Sequence, residues 1–336
     1  MKKNINVCFV GNLSSAFVKR DYKILKKHFD VDVVEIPKKK LGWIKYAFIL
    51  AKTVKKSDLV FSWFASWHSA LGVFFSKFFK KTSVVVAGGY DAVFCPEINY
   101  GAFTNLKEKI PAYYVLNHAD LLLAVSQFNL NEVLRVAKPK KIKMVYNGVD
   151  TTKFKPSNYK EKNLIITVGA INWNNLKRKG IETFVRTAKY LQECCFVVIG
   201  KYIDNSIDYL KSIASENVVF TGFVSESELI KWYQKANVIC QLSYHEAFGH
   251  APAEGMACGC IPVITKEINA MSEIIGNAGF YVSFGDEKET AEAIKKALNA
   301  SDEARKKARE RIIEMFSMEE REIKLTTIIE NMVGLK

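Results

Sequence analysis

The sequence predicts an α/β protein of two consecutive doubly wound domains, each with a parallel sheet between two helical layers. Three observations support this prediction. The chain of 336 residues is long enough for two domains of ordinary size. In its first half, apolar runs of β-type composition alternate with helical stretches of about a dozen residues. The alternation stops at a polar segment, residues 150–162, and then starts again.

The elements of the first half follow from this alternation. Six apolar runs are predicted to be strands, at residues 4–10, 31–36, 58–63, 82–87, 120–125 and 141–146. The stretches between them are predicted to be helices, at residues 16–29, 40–56, 67–80, 107–118 and 127–137. Asn147-Gly148 is a turn signal just ahead of the polar segment, which we interpret as the linker between the two domains.

The second half repeats the pattern. Six further strands are predicted at residues 164–168, 195–199, 218–220, 236–242, 261–265 and 279–282. Ser225 and Glu228 have the spacing of a capping box, so a helix is predicted to begin there. From Glu287 to the end the pattern is helical.

We therefore expect an N-terminal Rossmann-like domain over residues 1–150 and a C-terminal Rossmann-like domain over residues 151–315. A C-terminal helix over residues 316–336 is expected to return to the N-terminal domain. Two such domains would face each other across a cleft. A ligand would bind in that cleft, at the carboxyl ends of the strands.

The composition excludes several other classes of protein. Hydrophobic residues make up 49% and charged residues 25% of the chain, as in globular proteins and unlike disordered or collagen-like ones. The seven cysteines are odd in number and irregularly spaced, so we expect reduced, buried thiols and a cytoplasmic location. No apolar stretch approaches the roughly 18 residues of a membrane-spanning helix. The apolar part of the basic N-terminus is too short for a signal peptide.

The positive charge is concentrated in the first half. Residues 1–150 contain 24 lysines and arginines against 11 acidic residues, whereas the rest of the chain is nearly neutral. An anionic partner is therefore expected for the N-terminal domain: nucleic acid, an anionic membrane surface or a phosphorylated substrate. No RNA-binding signature is present, so nucleic acid is the least favoured of the three.

Two predicted helices of this basic half combine lysine with aromatic residues. In the segment 38–56, Lys45, Lys52 and Lys56 would share one stripe of a mostly apolar helix. The next helix carries aromatic and basic residues together: Phe74, Phe75, Phe78 and Phe79 with Lys77, Lys80 and Lys81. Such faces suit the interface of an anionic membrane, where each nearby lysine contributes about 1 kcal/mol. The alternative is that the aromatic side chains simply pack on the sheet.

Familiar nucleotide and metal motifs are missing. Neither the dinucleotide-binding glycine pattern nor the P-loop occurs, which argues against dehydrogenases and P-loop enzymes. His245 and His250 are five residues apart, so they do not share a helical face as zinc ligands would. Cys258 and Cys260 lack a second cysteine pair. No metal site is expected.

The most informative segment is residues 243–262. It is predicted to run from the end of a strand through a loop into a short helix that begins near Gly249 and stops near Gly259. The first N–H groups of that helix would form an anion site that suits a diphosphate. Glu246 and Glu254 could then accept hydrogen bonds from sugar and ribose hydroxyls on either side. The alternative is a capped surface helix with solvated glutamates.

At this point the chain resembles the family-four retaining glycosyltransferases of the GT-B fold, whose signature is Glu-x7-Glu followed by a helix of small residues, glycine and proline. Here the signature glutamates are Glu246 and Glu254. Further segments match in the same order: Ala119-Asp120, Val125-Ser126, Tyr146-Asn147-Gly148-Val149-Asp150, Val168-Gly169, Arg178-Lys179-Gly180, Phe220-Thr221-Gly222-Phe223, Leu242-Ser243, Glu273-Ile274-Ile275 and Phe316-Ser317-Met318. The resemblance covers almost the whole chain.

The resemblance implies a retaining, nucleotide-sugar-dependent and metal-independent hexosyltransferase of glycan or glycolipid biosynthesis. Glu246 would hold the donor sugar, Glu254 the ribose, and Lys179 the diphosphate, whose growing negative charge a cation stabilises. The implied donor site comprises Gly169, Arg178, Lys179, Ser243, Glu246, Phe248, Gly249, His250, Ala251 and Glu254. No cofactor is implied beyond the donor, with a UDP-sugar expected first and GDP- or ADP-sugars as alternatives.

The same resemblance assigns the acceptor, a glycan or a lipid-linked hydroxyl, to the N-terminal domain. The implied acceptor residues are Gly11, Gly88, Gly89 and Asp91. Asp91 stands near the position where the family has a histidine, so it is a candidate for contact with the donor sugar or the acceptor, or else a turn-capping aspartate. His68 is a weaker candidate. Ala170 stands where the family often has arginine.

Two other functions remain open from the sequence. A nucleotide-sugar epimerase of the same fold would convert the donor without an acceptor. A basic protein that binds nucleic acid or an anionic membrane, without enzymatic activity, would use the N-terminal domain alone. We also expect a peripheral position on the inner face of the membrane, because charge and aromatic residues coincide on the acceptor domain.

Overall fold

The computed structural model describes residues 5–37, 39, 41–267 and 269–334. Their contacts divide the chain into two compact units. The N-terminal unit comprises Met1–Gly148 and Glu319–Lys336, and the C-terminal unit comprises Val149–Met318. The predicted strand at 4–10 and helix at 40–56 begin on residues that lie outside the described part of the chain, as do Lys38 and Lys40 of the basic segment.

The N-terminal unit is built on a parallel sheet of six strands in the order β2-β1-β3-β4-β5-β6. The strands are β1 (Asn6–Val10), β2 (Asp30–Val34), β3 (Leu59–Trp63), β4 (Thr82–Ala87), β5 (Leu121–Ala124) and β6 (Ile142–Met144). The connecting helices are α1 (Ala16–His28), α2 (Gly42–Lys56), α3 (Trp67–Phe78), α4 (Leu106–His118) and α5 (Gln127–Val136). Each residue of β3, β4 and β5 is buried, because helices cover both faces of the sheet.

The C-terminal unit repeats this architecture with the strand order β12-β11-β10-β7-β8-β9, and all its strand pairs are parallel. Its strands are β7 (Leu164–Val168), β8 (Cys195–Ile199), β9 (Val218–Gly222), β10 (Val238–Gln241), β11 (Ile261–Thr265) and β12 (Phe280–Val282). Its helices are α6 (Trp173–Arg178), α7 (Ile181–Thr187), α8 (Ser206–Ile213), α9 (Glu226–Lys235), α10 (His250–Ala257), α11 (Met271–Ile275), α12 (Glu287–Leu298) and α13 (Asp302–Phe316). The predicted fold class is confirmed, since both sheets are parallel and flanked by helices.

Several local predictions are confirmed as well. Ser225 caps α9 in a reciprocal capping box with Glu228. Helix α10 begins directly after Gly249, as predicted. All seven cysteines are free thiols, and six of them are buried. Among the described helices, we find none with the length and apolar character needed to cross a membrane.

The last helix, α14 (Met318–Gly334), belongs almost entirely to the N-terminal unit. Arg321 of α14 is buried and forms a two-pronged ion pair with Asp21 of α1, at 2.6 and 2.7 Å. The same guanidinium donates to the carbonyl oxygens of Val145 and Tyr146, at 3.0 and 2.7 Å. The indole N–H of Trp63 donates to the second carboxylate oxygen of Asp21 at 2.9 Å. This network fixes α14 on the N-terminal sheet.

Candidate active site

The candidate site of the C-terminal unit lies at the carboxyl ends of β7 and β10. These strands are neighbours in the sheet, so the loops that follow them emerge side by side. Gly169 follows β7 directly, and Ser243 and Glu246 follow β10. Arg178 and Lys179 come from the end of α6, which the chain reaches a few residues after β7. The edge of the sheet therefore gathers these predicted residues from three segments.

Two glycines allow the close approach of these segments. Gly180 adopts a left-handed conformation with φ of 63°, and a Cβ atom there would lie 2.0 Å from the carbonyl oxygen of Leu242. Only glycine fits at that point. At Gly169 a Cβ atom would lie 2.9 Å from Cδ of Lys179. The missing side chain of Gly169 therefore leaves room for the stem of Lys179 to reach the end of β10.

The centre of the site is an ion cluster around Glu246. The ammonium of Lys179 lies 2.9 Å from Oε1 of Glu246, and the guanidinium of Arg178 lies 3.7 Å from the same oxygen. The Ser243 hydroxyl also donates to this oxygen at 3.2 Å. Burial raises the pKa of Glu246, but the charges of Lys179 and Arg178 outweigh it and lower the pKa to about 2. Glu246 is therefore an anion and a hydrogen-bond acceptor at neutral pH.

A layer of polar residues fixes the loop that carries Glu246. The amide of Gln241 donates to the Ser243 hydroxyl at 2.6 Å. The hydroxyl of Thr265, on β11, donates to the carbonyl oxygen of Ser243 at 2.5 Å. The backbone N–H of Tyr244 donates to the carbonyl oxygen of Arg178 at 2.8 Å, which ties this loop to the end of α6. No local sequence pattern indicated Gln241 or Thr265 as site residues.

Helix α10 begins beside this cluster. Gly249 precedes it with φ of 93°, close to Met271, so a side chain there would be strained. A helix start directs its first N–H groups away from the helix and carries a partial positive charge. Phe248, just ahead of the helix, is buried and packs edge-on against Phe316. His250 and Ala251 form the first turn.

Glu254 lies one turn further along α10 and is only 7% exposed. The hydroxyl of Tyr233 donates to its Oε2 atom at 3.4 Å. Tyr233 is fully buried, and burial, followed by the charge of Glu254, raises its pKa well above the ordinary value. Tyr233 could not be predicted as a site residue, because it lies on α9 and no local sequence pattern links it to α10.

In the N-terminal unit, Gly88, Gly89 and Asp91 lie together after β4. The buried carboxylate of Asp91 accepts the backbone N–H groups of Ala65 at 2.7 Å, Gly89 at 2.9 Å and Gly88 at 3.4 Å. Burial raises the pKa of Asp91 to about 6, although these hydrogen bonds oppose the shift. Asp91 thus joins the loop after β3 to the loop after β4.

Asp91 also lines a cavity of about 450 Å³ in the N-terminal unit. Trp43, Phe64, Trp67, Tyr90 and Glu108 line the same cavity. Phe64 has φ of 67°, a strained conformation for an aromatic residue and one that clusters at functional sites. The Phe64 ring explains why residue 88 is glycine, since a Cβ atom there would lie 2.1 Å from the ring.

The two remaining predicted residues of this unit differ in position, since His68 also lines the cavity of Asp91 and Gly11 does not. His68 has both ring nitrogens engaged, with the Ser66 hydroxyl at 2.6 Å and the carbonyl oxygen of Trp63 at 2.7 Å, and burial lowers its pKa. Gly11 lines a different concavity of about 420 Å³, together with Asn12 and Glu35. The structure therefore does not bring Gly11 into the cavity that Asp91 lines.

Comparison with known proteins finds sequence similarity to a glycosyltransferase family over the C-terminal unit. Residues 149–315, essentially the C-terminal unit, match the family described as Glycosyl transferases group 1. The chain is 32% identical to the O-antigen chain mannosyltransferase RfbU of Salmonella typhimurium over 163 residues, which cover 46% of this chain and 44% of RfbU. It is 30% identical to the capsular polysaccharide biosynthesis glycosyltransferase CapM of Staphylococcus aureus over 220 residues, which cover 58% of this chain and 55% of CapM. The matched segments thus span about half the length of these two relatives.

Solved structures share the fold over nearly the whole chain. HepE of Anabaena, solved in complex with UDP, superposes with a TM-score of 0.78 at 16% identity and covers 97% of this chain and 100% of HepE. Sucrose-phosphate synthase of Thermosynechococcus elongatus gives a TM-score of 0.80 at 16% identity, with coverage of 99% and 100%. The chain therefore has the GT-B fold, with one doubly wound α/β domain in each unit. The C-terminal unit is therefore similar in sequence to the glycosyl transferases group 1, which supports a glycosyltransferase.

Proposed function

We propose that the protein is a retaining glycosyltransferase that moves a sugar from a nucleotide-sugar donor to an acceptor hydroxyl. The observation that carries this proposal is the cluster of Lys179, Arg178 and Glu246 beside the start of α10. It offers two cations and a helix start for a diphosphate, and an ionised carboxylate for sugar hydroxyls. A mannosyltransferase and a capsular polysaccharide glycosyltransferase among the relatives support the same reaction class.

Donor binding would rearrange this cluster. In the structure, both cations lie beside Glu246. A bound diphosphate would compete for Lys179 and Arg178, and Glu246 would turn to the sugar hydroxyls, for which its low pKa keeps it a pure acceptor. Glu254 would accept from the ribose hydroxyls. We propose a UDP-sugar first, in keeping with the UDP bound to HepE, with GDP- and ADP-sugars as the alternatives.

The chemical step we propose proceeds on one face of the donor sugar. The bond between the anomeric carbon and the diphosphate oxygen breaks, and the acceptor oxygen bonds to the anomeric carbon from the same side. The acceptor's proton passes to the departing phosphate oxygen, so that the configuration is retained. Lys179 and Arg178 stabilise the negative charge that grows on the leaving group, in the role that a metal ion has in other transferases.

We propose that the acceptor binds in the N-terminal unit, in the cavity lined by Asp91. Its aromatic walls suit the apolar faces of a sugar ring or a lipid, and its carboxylates suit hydroxyl groups. Asp91 would hold the surrounding loops through its hydrogen bonds, and its remaining lone pairs would accept a hydrogen bond from the hydroxyl of the sugar acceptor. Gly88 and Gly89 have no side chains and would therefore leave space for the acceptor beside Asp91.

We also propose that the N-terminal unit docks on an anionic membrane and takes a lipid-linked acceptor. Ile44 and Phe48 of α2 are 73% and 75% exposed, and Phe78 of α3 is 71% exposed. Phe75 and Phe79 instead pack against the core, so only part of the predicted aromatic face is available for contact with a membrane. Lys45, Lys52 and Lys56 are exposed on α2. Apolar side chains bordered by lysines suit the headgroup region of such a membrane.

The activity is tested by incubating the purified chain with UDP-, GDP- and ADP-sugars and a lipid-phosphate or glycan acceptor, and following the sugar by NMR. We expect one donor to give a product with the donor's anomeric configuration, and Lys179→Met and Glu246→Gln to abolish it. Lys177→Met is the matched control, because Lys177 is exposed on the same helix. Conversion of the donor sugar without any acceptor would instead identify an epimerase. An inverted product would refute the retaining mechanism.

A further inference from the structure

The cavity that Asp91 lines differs in charge from the rest of the N-terminal half. Residues 1–150 carry 24 lysines and arginines against 11 acidic residues. Among the described residues, however, none that lines this cavity is a lysine or an arginine. Its acidic and basic side chains are those of His68, Asp91 and Glu108. The charge that a ligand meets inside the cavity therefore depends on the protonation of these three groups.

His68 contributes no positive charge. Its Nε2 atom lies 2.7 Å from the carbonyl oxygen of Trp63, and a carbonyl oxygen can only accept, so Nε2 carries a proton. Its Nδ1 atom lies 2.6 Å from the Ser66 hydroxyl, which can donate to it. Burial lowers the pKa of His68, which favours this neutral form. The ring is therefore uncharged at neutral pH.

The two carboxylates give the cavity a negative charge. Glu108 is exposed and accepts the hydroxyl proton of Tyr90 at 2.5 Å, and it forms no ion pair with a described residue. Burial, followed by this hydrogen bond, raises the pKa of Tyr90 to about 12, so the phenol keeps its proton. The pKa of Asp91 is raised by burial to about 6, which leaves this carboxyl mostly ionised at neutral pH.

Aromatic side chains form much of the remaining wall. Trp67 at the start of α3 is 53% exposed, and Tyr90 is 40% exposed. Trp43 of α2 packs edge-on against Tyr46, with ring centroids 5.3 Å apart. The volume of about 450 Å³ lies within the usual range of small-molecule sites. The cavity therefore offers open aromatic surface together with ionised hydrogen-bond acceptors.

This combination discriminates between three kinds of occupant. An alkyl chain would cover the carboxylates of Asp91 and Glu108 without donating to them, and such desolvation is costly. A phosphate group would add about two negative charges beside them, and like charges repel. A pyranose ring presents an apolar C–H face to an aromatic side chain and hydroxyl donors to a carboxylate. Only the sugar satisfies both parts of the wall.

We propose that the group entering this cavity is a sugar without a phosphate, which carries the hydroxyl that receives the transferred sugar. Its role as acceptor rests on the proposed function, whereas its binding does not. If the acceptor is lipid-linked, at least one sugar separates its phosphate from the receiving hydroxyl. The anionic partner expected from the charge of the first half then binds outside the cavity.

Binding is tested by fluorine NMR on the full chain with fluorotryptophan at all five tryptophan positions, without donor. Methyl glycosides of glucose, galactose and mannose are titrated beside the corresponding sugar phosphates and octanol. We expect at least one glycoside to shift the signals of Trp43 and Trp67 saturably, and to leave Trp173 of the C-terminal unit unchanged. Tryptophan-to-phenylalanine variants assign the signals. The matching sugar phosphate should need an about tenfold higher concentration.

Three results of these titrations would overturn the inference. They are a sugar phosphate that saturates the Trp43 and Trp67 signals at the same or a lower concentration than its glycoside, a stronger response to octanol than to every glycoside, and no response to any glycoside.

A charge reversal tests the cause of the discrimination. Glu108→Lys places a cation in the cavity and should remove the preference for the glycoside over its phosphate. Glu319→Lys is the matched control, because Glu319 is also exposed in the first turn of a helix of the same unit but does not line the cavity. It should keep the wild-type preference. An unchanged preference in Glu108→Lys would contradict the proposed role of charge.

The outcome for the donor site is scored separately. Nucleotide binding at Lys179 is followed by thermal shift in the same proteins. If no nucleotide binds but the glycoside shifts persist, the proposed transfer fails and the sugar site remains. If donor binds and sugar is transferred equally well to a sugar phosphate, the transferase remains and this inference fails.

Discussion

Replacing Arg321 with methionine is expected to destabilise the N-terminal unit by about 3–5 kcal/mol. Arg321 is 3% exposed and Asp21 is fully buried, so the substitution leaves a carboxylate in the core without a cation. Of the partners of Asp21, only the Trp63 indole at 2.9 Å would remain from the network described above. The carbonyl oxygens of Val145, which is buried, and of Tyr146, which is half-buried, would also lose the Arg321 donor.

A matched control is available on the surface. Arg135 also forms an ion pair at 2.6 Å, with Glu132, and its side chain is 65% exposed, whereas that of Glu132 is 8% exposed. Because solvent reaches the guanidinium and screens the pair, Arg135→Met should cost about 1 kcal/mol, well below the cost of Arg321→Met. The two variants remove the same chemical group and differ in burial.

The assay is urea unfolding combined with hydrogen exchange resolved along the chain. For Arg321→Met we expect faster exchange in β1, β3 and α14, while β7 and β8 of the C-terminal unit keep their protection. A loss of stability no larger than that of Arg135→Met would refute the reasoning, as would an equal loss of protection in both units.

Three further predictions concern the two candidate sites. Gly180→Ala should cost several kcal/mol or prevent folding of the C-terminal unit, because its Cβ atom would lie 2.0 Å from the Leu242 carbonyl oxygen; the assay is urea unfolding. The control is Gly285→Ala, which is also at positive φ but in open space and therefore reports backbone strain alone. The pKa of Glu246 falls from 4.5 to about 2 on folding, so its contribution to stability is present above about pH 4.5 and lost as the pH falls toward 2. Lys179→Met should flatten the dependence of the unfolding free energy on pH in this range. An unchanged pH dependence would contradict the ion pair. Asp91→Asn should cost about 1–3 kcal/mol, because the NH2 group of the new amide would face the backbone N–H donors of Ala65 or Gly89. Thermal unfolding measures this cost, and a variant as stable as wild type would count against the arrangement.

Much of the fold could be predicted because the strands are buried on both faces. Such strands appear in the sequence as continuous apolar runs, and β7, β8 and β11 have the predicted limits. Strand β9 extends two residues beyond the prediction, to Gly222, whereas β10 begins two residues later and ends one residue earlier than predicted. The short helix α6 was not predicted, since its six residues are too few to show a period.

The candidate site was predictable only where its residues are close in the chain. Glu246 and Ser243 lie in one loop, and their contact follows from local spacing. Tyr233, which donates to Glu254, and Thr265, which fixes Ser243, reach the site only through sheet topology. The pair of Asp21 and Arg321 is separated by 300 positions, and no local pattern indicates it. Contacts of that kind depend on the assembled fold.

The lysine-rich helices show the same limit. The sequence predicted one aromatic face on α3, but a helix turns by about 100° per residue and separates neighbouring side chains. Phe75 and Phe79 pack inward, while Phe74 and Phe78 are exposed. The packing interpretation is therefore confirmed for Phe75 and Phe79, whereas membrane contact by Phe74 and Phe78 stays a prediction.

The most direct measurement of the central claim is nucleotide binding by wild type, Lys179→Met, Glu254→Gln and the control Lys177→Met, followed as a thermal shift. A ligand that binds only the folded state raises the unfolding temperature in proportion to RT ln(1 + [L]/Kd). We expect one of UDP, GDP and ADP to stabilise wild type and Lys177→Met. The same nucleotide should fail to stabilise Lys179→Met and Glu254→Gln. A shift of equal size in all four proteins, or none in wild type, would contradict a donor site at the Lys179–Glu246 cluster.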